Sequence, residues 1–590
     1  MEIIIRQNGS PDRSLKAHQG QTVLSFLANQ GIHLDAPCAG RGQCGKCRVR
    51  VSGALNEPSS EELAVLKGAS DTSSPSRMRL ACQARLEGDA VVEIAAEAHF
   101  SSVKGLGESE PYDIDSPLRR IIFKTPDRQD ATELMTANNI GRASITALNQ
   151  LANLDGEREE GLALMWEDEL LAVHPFTESG QTEELLAAAV DLGTTGLAVA
   201  IIDVSKGEVV AQGTALNPQT TCGGDVISRI TLAAEGPDKL DHLQDLALSG
   251  IGELIKETAG PKRLPRIKAA VVSGNTTMLY LLGGIQPKGL AQAPYRPAFI
   301  KSLDISHLAA RLNLSPEAKI FTTPNISAYV GGDITSGMLA VGLKKRPGTV
   351  LYIDIGTNGE IVLSNNGKLV ATSCAAGPAL EGMNILCGQR AIPGAVDSFT
   401  MTEDFSFSFT TIGDAPATGI CGSGLVDLTA ALVTAGLISK TGRLSSPSDI
   451  SDPPAWFQEL ADGRFNLDKN VYFDQKDVRQ VQLAKGAIAA AVEMLLGRMK
   501  LTASDLDEII IAGAFGFHLK TESLKAIELI PSTYEGPVRF VGNSSLAGAA
   551  RILLTPSAID SLNALSAETE VIELGFDPSF QTTFVKHLRF

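Results

Sequence analysis

One pattern is written twice in this chain of 590 residues, and it restricts the available folds more than any other feature. AAAVDLGTTGLAVAIIDVSKGEVVAQGTAL begins at Ala187, and TVLYIDIGTNGEIVLSNNGKLVATSCAAGP begins at Thr349. Each reads as an apolar strand with Asp near its end, a Gly-Thr turn, a second strand, a turn built on Lys and Gly, and a third strand. Asp191 corresponds to Asp354, Gly193 to Gly356 and Thr194 to Thr357. A repeat at this distance predicts two similar α/β halves facing one another, about 187–345 and 346–590.

The residue types suggest the chemistry. A tight Gly-Thr turn between strands presents backbone N–H groups and a hydroxyl to a phosphate. Gly193, Thr194 and Thr195 on one side, and Gly356, Thr357 and Asn358 on the other, are the expected phosphate grips. Asp191 and Asp354 are expected to organise Mg²⁺, mostly through water. Further pieces fit the same plan: a strand running into Gly274-Asn275-Thr276, a Gly-rich helix start at Gly422, and Glu381 after Gly377-Pro378. A strand also runs into Gly513-Ala514-Phe515-Gly516, and GNSSLAGAARILL opens a helix. Asp225 and Asp333 each follow two glycines and read equally as helix caps or cleft acids. No Gly-Lys pair precedes Ser or Thr, which excludes a P-loop, and no convincing G-x-G-x-x-G follows a strand.

The first hundred residues carry a second chemistry. The spacing is Cys38-x5-Cys44-x2-Cys47, then x34 to Cys82. Four thiolates are a full ligand set for a [2Fe–2S] cluster, and a four-cysteine zinc site is the alternative. Gly40, Gly42 and Gly45 allow the loop to take positive φ around such a group. Cys222, Cys374, Cys387 and Cys421 are scattered and read as small buried hydrophobes. The eight histidines show no ligand spacing, and His518 reads as structural.

A net charge of −17 argues against nucleic acid and anionic membrane surfaces as partners. No apolar run approaches the length of a spanning helix, and no secretory signal is visible, so a cytoplasmic location is expected. Residues 98–117 are rich in Gly, Ser, Pro and acid and read as a linker. Residues 118–186 read as a small mixed domain, a spacer or docking module.

The duplicated hairpins resemble the superfamily of actin, sugar kinases, acetate kinase and the heat-shock chaperones, which bind ATP between two ribonuclease-H-like halves. DAPCAGRGQCGKCRVRVSG with RLACQ resembles the β-grasp [2Fe–2S] ferredoxins over residues 1–97. The resemblance implies a multidomain α/β chain: a β-grasp ferredoxin at 1–97, the linker 98–117, the small middle domain 118–186, and a duplicated actin-like ATPase domain at 187–590. In this order the whole chain resembles one family, the reductive activators of corrinoid proteins. VDLGTTG, SGNTTM, NISAYVGGDI, IDIGTNGE, AAGPALEG, GICGSGL, IAGAFG and GNSSLAGA are the specific phrases. Tyr280 departs from the family, where His is often found, as does Cys222, where a bulkier residue is frequent.

That resemblance implies an enzyme that uses ATP to return an inactive Co(II) corrinoid protein of a methyltransferase system to Co(I), with an electron from a low-potential donor. A [2Fe–2S] ferredoxin centre at roughly −400 mV is a weak donor for this step. An uphill transfer of about 100 mV costs roughly 2.3 kcal/mol, hence the ATP cleft. The implied roles are cluster ligation by Cys38, Cys44, Cys47 and Cys82, adenosine contact at Gly513, Ala514 and Gly516, nucleotide contact at Asn275 and Gly422, and cleft positions for Glu381 and Asp333. A homodimer through the C-terminal domain is also implied. Two alternatives are a small-molecule kinase with a redox-sensing ferredoxin domain, and an electron-transfer adaptor whose cleft only switches binding.

Overall fold

The computed structural model describes all residues except 8–11, 31, 33, 35–39, 41, 43, 44, 46, 67–76, 95–106, 125–130, 155–159, 447, 448, 450–462 and 514–518. The two repeats build two sheets of the same topology. In the first, the strand Leu186–Leu192 pairs antiparallel with Gly196–Asp203 and parallel with Ile267–Gly274. In the second, Thr349–Ile355 pairs antiparallel with Gly359–Asn365 and parallel with Glu508–Ala512. Counting strands within each half, both sheets run third, second, first, fourth, fifth, and the second half adds Glu570–Val571 at its edge. The first strand of each half is apolar along nearly its whole length because it is covered on both faces. Its aspartate sits near the carboxyl end, the edge where α/β sheets bind ligands.

The halves share a core. Ala189 and Val271 of the first sheet and Tyr352 and Ala512 of the second belong to one buried cluster with Met338 and Ala549. The last two lie on the helices Gly332–Ala340 and Ser544–Leu554, which cross between the sheets. The crossing is close: a Cβ at Gly548 would lie 2.0 Å from the Ser336 carbonyl oxygen.

The N-terminal sheet places its first strand, Glu2–Gln7, parallel beside its last, Leu86–Ile94. The helix Val23–Asn29 puts Val23, Phe26 and Leu27 into the core beside Ile3, Ile5 and Val92. The helix Ser60–Leu66 is fixed by a buried two-pronged ion pair, Arg79 Nε to Glu62 Oε1 at 2.8 Å and Nη2 to Oε2 at 2.9 Å. Glu62 also accepts the Leu80 N–H at 2.8 Å.

Residues 118–175 form a four-stranded sheet with two short helices. This unit is tied to the first half of the duplicated domain by charge. Glu317 accepts from Gln150 at 2.7 Å and from Lys268 at 2.9 Å, and lies 3.3 Å from His174. Burial opposes its ionisation, but hydrogen bonds from His174 and Lys268 hold its carboxyl well below the usual range. Lys319 reaches back to Glu169 at 2.7 Å. The stretch read as a linker is anchored in its second half. Residues 107–116 lie along the duplicated domain, with Glu108 N–H donating to Val541 O and Asp115 N–H to Leu554 O. No helix among the described residues is long and apolar enough to cross a membrane.

Candidate functional site

The two Gly-Thr hairpins face each other across a cavity of about 190 Å³. Each is closed by one backbone bond of 3.0 Å, Gly193 N–H to Gly196 O and Gly356 N–H to Asn358 O. The first hairpin is braced from behind. Asn217 donates to Gly193 O at 2.8 Å, Asn275 donates to the Thr194 hydroxyl at 2.8 Å, and buried Arg229 donates to Thr194 O. Arg229 meets only neutral acceptors there, Gly223 O and Gln219 Oε1 among them, and desolvation pulls its guanidinium down to about 10. The second hairpin faces acid instead: the Thr357 hydroxyl donates to Glu381 at 2.9 Å.

Asp191 is held by two donors from the second half, Asn543 Nδ2 and Ser545 Oγ, each at 2.8 Å. Among the described residues Asp354 receives only a long bond, 3.4 Å, from Tyr352. Asp333 is the second residue of the helix Gly332–Ala340; it accepts the Ile334 N–H at 2.9 Å and lines the cavity. Asp191, Asp333, Asp354, Glu360 and Glu381 thus line one small space, and no Lys or Arg is among its described lining residues. Desolvation and the neighbouring Asp191 push the Asp354 carboxyl up to about 7. Desolvation, with the charges of Asp354 and Asp191, raises Asp333 as well. Glu360 is raised by burial and by Asp333 and Asp354.

An all-acid cavity repels a bare polyphosphate. A divalent cation arriving with the phosphates would offset that repulsion. Among the described residues no three His, Cys, Asp or Glu side chains are grouped to hold an ion directly. The Thr195 hydroxyl is buried on the cavity wall and has no hydrogen-bond partner among the described residues, as expected of a group whose acceptor is a ligand oxygen.

These carboxyls set a pH dependence. In the unfolded chain Asp354 ionises near pH 3.9. Between about pH 4 and pH 7 the folded state therefore holds more protons than the unfolded one, and stability falls as pH rises through that window. The thermal midpoint of the protein without metal or nucleotide is expected to drop by several degrees from pH 5 to pH 8, and by less in Asp354→Asn. Equal drops in both proteins would refute the assignment.

Of the residues named from sequence, Asp191, Gly193, Thr194, Thr195, Asn275, Asp333, Asp354, Gly356, Thr357, Asn358, Glu381 and Gly513 all line the cavity. Ala514, Gly516 and His518 lie outside the described residues. Gly422 opens the helix Gly422–Thr434, which packs on the Pro378–Glu381 turn, and it is not among the described residues lining this cavity. Asp225 is a helix cap in a two-way capping box with Ser228. Sequence reasoning missed Glu360, Asn543 and Ser545. Glu360 stands where the first repeat has Leu197, and a charge in one copy alone was the available signal. Tyr280 is a packing residue, stacked on Phe299 with ring centroids 4.5 Å apart.

At the other site, Cys47 and Cys82 are both buried, while Cys38 and Cys44 lie outside the described residues. Gly40, Gly42 and Gly45 have φ of +81°, +73° and +66°, as the sequence predicted. Gln83 ties the loop to the turn that carries Cys82: its Nε2 donates to Gly40 O at 2.8 Å and lies 3.7 Å from Cys82 Sγ. A turn of left-handed glycines wrapped against buried thiols fits a metal–sulfur group. Cys374 and Cys421 are buried, while Cys222 and Cys387 are partly exposed.

Fold and site together define a class: a two-lobed nucleotide-cleft protein that carries a ferredoxin-type domain on the same chain. Residues 5–87 match the 2Fe-2S iron-sulfur cluster binding domain, residues 186–346 the RACo middle region, and residues 348–590 the C-terminal domain of RACo, the ASKHA domain. The corrinoid activation enzyme RamQ of Eubacterium limosum is 30% identical over 601 residues, covering 98% of each chain. The [Co(II) methylated amine-specific corrinoid protein] reductase of Methanosarcina barkeri is 26% identical over 63% of this chain and 71% of its own. A solved structure of a reductive activator for corrinoid, iron-sulfur protein superposes with a TM-score of 0.72 at 29% identity, covering 100% of this chain and 98% of that one. The chain belongs to the RACo family, the reductive activators of corrinoid proteins. The family's middle region is the first half of the cleft domain. Residues 118–186, read from sequence as the small middle domain, fall between the matched segments except for Leu186 itself.

Proposed function

We infer that this chain is an ATP-dependent activase that reduces the Co(II) of a corrinoid protein to Co(I). The observation that carries the reading is the acid-lined cavity between two matched hairpins, on a chain whose first domain matches a cluster-binding domain. Cys38, Cys44, Cys47 and Cys82 would hold a [2Fe–2S] group, which supplies one-electron transfer at low potential. Gly193, Thr194 and Thr195 face Gly356, Thr357 and Asn358 across the phosphates. Asp191, Asp333 and Asp354 orient the waters of Mg²⁺, and Glu381 positions Thr357. Gly513 lies on the adenosine side. The electron comes from a separate low-potential donor.

With such a donor, Mg²⁺-ATP and a Co(II) corrinoid protein, the chain is expected to produce Co(I), followed by its absorption change. Leaving out ATP is expected to cut the yield by about tenfold or more, because an uphill step of a few kcal/mol then stands alone. Full Co(I) formation without nucleotide would overturn the reading and favour the kinase alternative.

A further inference from the structure

Residues 107–116 belong to none of the sheets, yet nearly every second residue is bonded to the nucleotide domain. Gly107 N–H donates to Asn543 O at 3.3 Å, Glu108 N–H to Val541 O at 2.9 Å, Glu110 N–H to Ala340 O at 2.8 Å and Asp115 N–H to Leu554 O at 3.0 Å. The side chains add charge. Glu110 pairs with Arg346 and, at 3.2 Å, with Arg539, which also reaches Glu108 at 3.4 Å. The Tyr112 ring lies under the Arg551 guanidinium, 4.9 Å away. Ile114 covers Gly207, at the turn between the second and third strands of the first half.

These attachments have a pattern. They fall at both ends of the helix Ser544–Leu554, at the end of the helix Gly332–Ala340, and on the outer turn of the first sheet. The segment therefore grips both members of the helix pair that joins the halves, and the first half as well. Its upstream end touches the site. Asn543, whose carbonyl takes the Gly107 N–H, is the residue whose side chain donates to Asp191. Contact there is backbone to backbone: a Cβ on Gly107 would lie 2.5 Å from Val541 O and 2.6 Å from Asn543 C and O.

We propose that residues 107–116 are a strap whose seating follows the closure of the nucleotide cleft, with Gly107 a positioning residue for Asp191 through Asn543 and Glu110 the strap's charged anchor. The proposal rests on the ATP-dependent reading above. Two-lobed clefts close by rotating one half against the other about the elements between them. A segment fixed to both helices and to one half cannot keep all its bonds through such a rotation. Closure on nucleotide loosens or re-seats the strap.

The test uses the full chain and three variants, Gly107→Ala, Glu110→Gln and, as a control on an exposed strap residue, Asp113→Asn. Hydrogen exchange at residues 107–116 is measured with and without Mg²⁺-ATP, alongside ATPase kinetics and the spectrum of the cluster. In the parent, nucleotide is expected to change exchange there by about tenfold, a typical coupling between sites. Gly107→Ala should raise the KM for ATP about fivefold at near-parental kcat, since its added methyl displaces Asn543. Glu110→Gln should keep ATP turnover and the cluster spectrum but lose the nucleotide response of the strap. Asp113→Asn should match the parent. Nucleotide-insensitive exchange in the parent, a parental response in Glu110→Gln, or a parental KM in Gly107→Ala each overturn the proposal. None of these measurements needs a corrinoid protein, so failure of the activase reading would show separately, as a parent that forms no Co(I) with ATP.

Discussion

Asp354→Ala and Asp191→Ala are each expected to lower ATP turnover by about a hundredfold or more, the scale seen when one fixed charge or donor is taken from a phosphate or oxyanion site. Their effects on stability should differ in sign. Asp354 is crowded by other carboxyls and receives one long hydrogen bond, 3.4 Å from Tyr352. Removing it relieves repulsion, so the nucleotide-free protein should melt higher, as when a functional site holds strain that activity needs. Asp191 accepts from Asn543 and Ser545; its loss leaves the Asn543 amide without its acceptor, while Ser545 can turn to the Ser273 hydroxyl 2.9 Å away. An orphaned donor costs about 1–3 kcal/mol, so Asp191→Ala should melt lower. ATPase assays and calorimetry on the same samples check both parts. Parental turnover in both variants would end the paired-hairpin argument.

Cys82→Ser should abolish electron delivery while leaving ATP hydrolysis intact. Cys82 is 7% exposed and follows the strand clamped by Glu62 and Arg79, so its position is set by the fold before any metal binds. A serine there leaves three thiolates for a centre that needs four. The parent protein, purified without oxygen, should be red-brown and give a rhombic paramagnetic signal once reduced, and the variant should lose it. A colourless parent containing stoichiometric zinc would instead support the four-cysteine zinc site. The two active centres lie in separately cored parts of the chain, so damage to one should spare the other.

What the sequence revealed and what it hid follow from the range of the interactions. The strands Leu186–Leu192 and Thr349–Ile355 were legible because strand, turn and strand are all local, and repetition removed the ambiguity. Asp225 and Asp333 share the local pattern Gly-Gly-Asp, yet one caps a surface helix and the other enters the cavity. Only the arrangement of sheets separates them. Asn543 and Ser545 reach Asp191 from 352 and 354 residues away, a distance over which a lone sequence carries no pairing signal. The anchoring of residues 107–116 was hidden for the same reason. GESEPYDIDSP has the composition of a tether, but Glu110 finds Arg346 across 236 residues and Arg539 across 429.

The anchoring of residues 107–116 also bears on how such a chain can be divided. A protease cutting ahead of Gly107 would release the iron–sulfur domain and leave the nucleotide domain with its ion pairs to Glu108 and Glu110 intact. A cut at Leu118, where the next sheet begins, would strip Arg346 and Arg539 of Glu110, and Arg551 of its aromatic cover. Exchange of one electron-carrying module for another, in evolution or by design, therefore has its seam upstream of Gly107, and the acidic decapeptide after it travels with the ATPase.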